Sequence, residues 1–125
     1  MKLLRACLLL MVIPSMAHAW QFSKAISVSE LHEPHRFQHL ESSGNRAIAV
    51  SGSHVAVTWE DNRHGKPEIF VAFKAMQASQ FTKAQLVSTS APAYEPGVAA
   101  LPNNQFLVAW EANDHVWARI VSPGH

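Results

Sequence analysis

The run Glu60-Asp61-Asn62-Arg63 sets two carboxylates and a guanidinium within four residues. Glu60 has a second carboxylate in Glu111 further along the chain, and paired carboxylates can serve as acid and base on a glycosidic bond. An arginine can grip a carboxylate through two parallel hydrogen bonds. Arg46 is a second cation at the head of an apolar run, and Tyr94-Glu95 pairs a phenol with a carboxylate. His32, His35 and His39 cluster with Glu33 and offer the imidazole and carboxylate groups that zinc takes. Pro34 disfavours the helix that would bring those histidines onto one face. Their spacing meets no standard metal pattern, so an exposed connecting loop is expected, with no metal and no cofactor.

The elements that must position these residues are repeated. "SGNRAIAVSGSHVAVTWEDN" (43–62) lies over "YEPGVAALPNNQFLVAWEAN" (94–113) at an offset of 51 residues. Ala49, Val57, Trp59, Glu60 and Asn62 fall on Ala100, Val108, Trp110, Glu111 and Asn113. After a four-residue deletion in the turn, "IFVAF" (69–73) falls on "VWARI" (116–120). A further match joins "QFSKA" (21–25) to "QFTKA" (80–84). Matches this consistent read as an internal repeat.

Each unit resolves into short strands. Val55, Val57 and Trp59 alternate onto one face of a strand over 55–60, and Phe106, Val108 and Trp110 do the same over 106–111. Apolar runs at 47–50 and 98–101 precede them, runs at 69–73 and 116–121 follow, and 84–88 supplies a fourth strand. Ser51-Gly52-Ser53, Gly65-Lys66-Pro67, Pro102-Asn103-Asn104 and Asn113-Asp114 carry turn chemistry. Four antiparallel strands repeating every ~50 residues is the pattern of β-propeller blades. The fold expected is therefore all-β, with an outer strand at 20–29, a linker at 30–43, blade one at 44–90 and blade two at 91–125. Propellers typically have at least four blades, so this is an incomplete propeller. Two blades leave apolar faces open to water. That predicts a fragment of a longer chain first, an oligomer-forming half-propeller second, or a two-sheet domain packed blade on blade. Self-association or pairing with remaining blades is expected.

The repeat also sorts the candidate residues. Trp59 and Trp110 recur, which favours packing between blades over sugar stacking. Glu60 and Glu111 recur, which favours strand-end hydrogen bonding over catalysis. Asp61 and Arg63 do not recur: Ala112 and Asp114 replace them. Arg46 does not recur either, with Gly97 as its counterpart. Residues that the repeat does not need are the better functional candidates, which selects Arg46, Asp61 and Arg63; with the adjacent Glu60 they form the candidate ligand-binding set. The alternative for Asp61 and Arg63 is a solvated turn holding a local ion pair of little worth.

The chain opens "MKLLRACLLLMVIPSMAHAW". Lys2 and Arg5 form a positive start, Cys7 to Ile13 a short apolar core, and Ala17-His18-Ala19 a cleavage signal. These features predict a secretory signal peptide over 1–19, and a periplasmic or secreted location. The apolar run is too short to span a bilayer, so no membrane association is expected after cleavage. Loss of 19 of 125 residues leaves 106, with 8 basic residues (10 less Lys2 and Arg5) against 9 acidic ones, and no cysteine. Disulfide and thiolate chemistry are thereby excluded from the mature chain. The near-neutral, interspersed charge gives no footprint for nucleic acid.

"VAVTWEDNRHGKPEIFVAF" followed by "YEPGVAALPNNQFLVAWE" resembles the blades of sialidase-like, BNR-repeat propellers of exported bacterial proteins, over roughly residues 40–121. The family's Ser-x-Asp-x-Gly-x-x-Trp box is absent. The resemblance implies a glycan or other anionic small ligand. It matches Arg46-Ala47-Ile48 to the family's Arg-Ile-Pro motif, without the proline. Glu60-Asp61-Asn62-Arg63 matches the Glu-x-Arg motif, with one residue too many. The tyrosine–glutamate nucleophile pair and the last arginine belong to later blades, so Tyr94-Glu95 is in the wrong blade for that role. Glycoside hydrolysis is then expected only of a longer chain. The alternative is a non-catalytic periplasmic interaction or scaffold module.

Overall fold

A computed structural model describes residues 23–29, 37–39, 46–89 and 92–124. The expected signal peptide, the histidines at 32 and 35 and most of the expected linker lie outside the described residues. Among those described there is no helix, and therefore none long and apolar enough to cross a membrane.

Among the described residues, eight strands form two antiparallel sheets, neither closed on itself. In sheet one, β3 (His54–Asp61) pairs along its full length with β4 (Glu68–Ala75). The other edge of β3 is shared. β2 (Ile48–Ser51) takes its N-terminal half, and β1 (Gln38–His39) its last two residues. The two-residue β5 (Gln85–Leu86) closes the far side of β4. Sheet two has β6 (Tyr94–Leu101), β7 (Gln105–Ala112) and β8 (His115–Val121) in sequence order. The ladders preserve the repeat: Trp59 opposes Phe70 as Trp110 opposes Trp117.

Alternation decides which residues meet. Ala56, Ile69, Val71 and Phe73 point from sheet one toward Val98, Phe106, Val108 and Trp110 of sheet two, and all are buried in one core. The Phe73 and Phe106 rings meet across the interface with centroids 5.7 Å apart. Side chains of this size each contribute about 1.5–3 kcal/mol on full burial. Val57, Trp59, Phe70 and Ala72 occupy the opposite face of sheet one, covered by Val28, Phe81 and Ala84.

The two sheets are also tied at their ends. The Val98 amide donates to the Arg46 carbonyl at 2.7 Å, at the heads of the two inner strands. At the other end the Ser51 hydroxyl donates to the Leu101 carbonyl, and the Ser53 amide donates to Asn104 Oδ1 at 3.0 Å. Gly52 sits at φ +52° within that junction, and a Cβ there would meet Asn104 Oδ1 at 2.3 Å. Asn113 and Asp114, at φ 52° and 60°, make the tight β7–β8 turn whose paired positive φ values match the twist of a two-residue hairpin.

Three boundaries differ from those expected. Residues 23–29 are not in a strand, so the outer strand placed at 20–29 is absent where that stretch is described. The linker placed at 30–43 contains β1, which completes the edge of β3. β6 also starts earlier than its apolar run, because a bulge between Tyr94 and Gly97 accommodates Pro96 within the strand.

Candidate functional site

The four candidate residues converge at one end of sheet one. Glu60 and Asp61 end β3, Arg63 stands in the turn that follows, and Arg46 lies two residues before β2. The β2–β3 register, extended by two residues from the Ile48–Val57 pair, brings Arg46 level with Trp59. Alternation then separates them. Asp61 lies on the Trp59 face, away from sheet two, whereas Glu60 shares the inter-sheet face with Ile69 and is buried.

Asp61 is the hub of this end. Its Oδ1 accepts the Arg63 backbone N–H at 2.7 Å, as an Asx-type turn does. Its Oδ2 accepts Arg63 Nη2 at 2.7 Å and Nε at 3.1 Å. The same oxygen faces Trp59 Nε1 at 3.3 Å and Gln38 Nε2 at 3.2 Å. The Arg63 guanidinium lies 3.9 Å from the Phe70 ring centroid, and that ring stacks with Trp59 at 6.3 Å. Burial alone would push the Asp61 carboxyl above its ordinary range. The hydrogen bonds from Arg63 and Trp59 and the charge of Arg63 outweigh it and hold the carboxyl below.

The Asp61–Arg63 pair is therefore not a solvated turn. The Asp61 side chain is fully buried and that of Arg63 is 11% exposed. Each closes the valences of the other over an aromatic layer. Arg46 differs: it is exposed, and its backbone carbonyl serves the junction between the sheets. The structure thus brings the four residues to one end, but three of them turn inward.

Gln38 was not evident from the sequence as part of this group, because the stretch around it has no strand alternation. Its only signal was the missing partner on the C-terminal half of β3. Asn62 joins the same contact by accepting the Phe37 amide through Oδ1 at 3.0 Å.

The repeat shows what Asp61 supplies. In sheet two its counterpart is Ala112, and the Trp110 indole N–H is buried without a partner. Tyr94 stands opposite Glu111, and both line an open cleft of about 540 Å3 together with Asp114 and His115. Glu95 next to it has φ 51°, an unusual value for a residue before proline. Among the described residues no group of three or more His, Cys, Asp or Glu could hold a metal ion. Compared with family models, curated proteins and solved structures, the chain finds no match.

Proposed function

We propose that this chain is a propeller-type sheet unit of an exported protein that acts by binding other protein surfaces, without catalysis of its own. One observation carries this reading: repeat-related sheets bury a single interface and leave apolar side chains on both outer faces. Ile48 and Val50 are 60% and 51% exposed on one side, and Val116 and Ile120 are 75% and 57% exposed on the other. Apolar faces of this kind are interaction surfaces in soluble proteins. The face of sheet two bearing Leu107, Ile120 and Val116 is the repeat counterpart of the sheet-one face that sheet two itself covers. A surface of the same sheet type is thus its natural complement. Export follows from the residues at 1–19, and the sialidase-like resemblance supports the propeller geometry.

The anionic-ligand reading rests on Arg46, exposed where the inner strands meet, since Arg63 is engaged by Asp61. Calorimetric titration separates the two readings, using sialic acid and a neutral sugar against wild type and Arg46→Ala. The interaction-module reading expects no heat with either sugar and no turnover of a fluorogenic sialoside. Saturable sialic acid binding lost in Arg46→Ala would overturn it in favour of a glycan-binding face.

A further inference from the structure

The match between the N-terminal segment and the stretch before β5 runs beyond its first five residues. "QFSKAISVS" (21–29) and "QFTKAQLVS" (80–88) share Gln, Phe, Lys, Ala, Val and Ser at the same places, with Ser23 for Thr82. The second copy of this sequence has a defined job. It forms the fourth strand position of sheet one, against the outer edge of β4. The Thr82 amide donates to the Phe73 carbonyl at 2.7 Å, and Thr82 Oγ1 accepts the Phe73 amide at 3.0 Å. The Val87 amide donates to the Ile69 carbonyl at 2.7 Å, and Ser88 Oγ accepts the Ile69 amide at 3.1 Å. Val87 itself is buried in the core between the sheets.

Sheet two has no strand in the equivalent position among the described residues. The ladder register makes Val116, Ala118 and Ile120 of β8 the counterparts of Ile69, Val71 and Phe73. Their amides and carbonyls therefore face an open edge. β8 is seven residues long, rich in branched and aromatic side chains, and without proline. An edge of this kind is a template for another strand.

We propose that the β8 edge takes residues 23–29 of a second copy of this chain as its fourth strand. Val28 and Ser29 then stand at Val116 as Val87 and Ser88 stand at Ile69, and Ser23 stands at Ile120 as Thr82 stands at Phe73. The donor comes from a second copy because the chain's own segment lies elsewhere. Val28 packs on the Val57, Trp59, Phe70 and Ala72 face, which is turned away from sheet two, and 24–29 line a cleft with 79–83. Its hold there is the Val28 contact and a hydrogen bond from the Ser29 hydroxyl to Gln38 Oε1, while residues 23–27 are exposed, with Ile26 at 43%. Exchange of such a segment between identical chains is a low-cost route to association. This inference concerns a strand edge and does not depend on the outer faces.

The register supplies the test. Val71 opposes Gln85, so Ala118 should oppose Ile26 directly. Directly opposed Cβ atoms lie within reach of a disulfide. Cys7 is the sole cysteine, so a Cys7→Ser background carries no other thiol. Ile26→Cys and Ala118→Cys variants, each with a different mass tag, are mixed and oxidised, with Gln105→Cys in place of Ala118→Cys as control. The expected result is a mixed disulfide dimer for the 26–118 pair well above the 26–105 pair. The double variant Ile26→Cys/Ala118→Cys should likewise give interchain dimers. An intrachain disulfide in that double variant, or no 26–118 product above control, overturns the proposal. Ala118→Pro gives a second readout, because it removes only an outward-facing donor. Its circular dichroism should match wild type while its sedimentation shifts to monomer; unchanged association with the fold intact also overturns the proposal.

Discussion

The contrast between two equivalent tryptophans shows how one residue governs the end of a sheet. Trp59 has Asp61 to accept its indole N–H, and Asp61 in turn pins Arg63. Trp110 has Ala112 at that place, and its N–H is buried unpaired. Replacing each tryptophan by phenylalanine removes similar volume but different polar consequences. Trp59→Phe should cost about 1 kcal/mol more than Trp110→Phe, the net worth of a hydrogen bond together with relief of an orphan donor. Urea unfolding of both variants measures the difference, and an equal cost would contradict the assignment. Asp61→Ala strands the Arg63 guanidinium and should cost about 2–3 kcal/mol. The sign of the pH effect follows from the lowered carboxyl. The contribution is fully present above the unfolded-state value, near pH ~4. It is lost as pH falls through the still lower folded-state value. Unfolding between pH 7 and pH 2 should show an acid limb in wild type that Asp61→Asn flattens. The sequence separated Asp61 and Arg63 from the repeat correctly, since Ala112 and Asp114 replace them. It offered their pairing as an alternative, but as a solvated pair rather than a buried one. Side-chain direction within a turn depends on the aromatic layer beneath, and that layer exists only once β3 and β4 pair.

Strands were legible where alternation was strong. β3, β4, β7 and β8 match the expected runs to within a residue or two; β3, β4 and β7 do so because each places one set of side chains in a core, and β8 follows β7 as its hairpin partner. β5 falls within the fourth strand expected at 84–88, whereas β1 was not legible and residues 23–29, expected as a strand, form none. β1 is a two-residue edge pairing held by backbone contacts to β3, and such contacts leave no periodic mark on the chain. Residues 23–29 and 82–88 show the limit directly: closely matched sequences include a strand in one place and none in the other. The turn residues carry more than their turns. Gly52 combines a left-handed φ with a close approach to Asn104, whose side chain holds the Ser53 amide and so ties sheet one to sheet two. Gly52→Ala should therefore destabilise by more than the ~1 kcal/mol ordinarily gained by Gly→Ala at a compatible site, because both strain and a broken tie oppose it. Thermal unfolding of that variant beside Gly65→Ala tests this. Gly65 also has a positive φ but open space around it, so its loss should be smaller.

At the scale of the whole molecule, the packing of sheet on sheet sets the limit on solitary existence. The buried core lies between the sheets, and Phe106 sits at its centre against Phe73. Phe106→Ala should cost about 3–5 kcal/mol, enough to unfold a marginal domain of this size. The outer faces have the opposite balance. Ile48, Val50, Val116 and Ile120 leave half or more of their area exposed on folding, and that apolar area is available for association. A lysine at such a position on a strand surface keeps its stem on the sheet and puts its charge in water, at little cost to the fold. Val50→Lys and Ile120→Lys should each leave unfolding nearly unchanged while reducing concentration-dependent light scattering. The two positions lie on opposite outer faces, so the double variant should reduce it further than either alone. Loss of scattering in Ala118→Pro but not in the lysine variants would assign association to the β8 edge. Loss in Val50→Lys alone would assign it to the face of sheet one. A wild-type chain that scatters as a monomer at every concentration, with one cooperative unfolding transition, would show that the two sheets are sufficient to themselves and that their open faces bind nothing of their own kind.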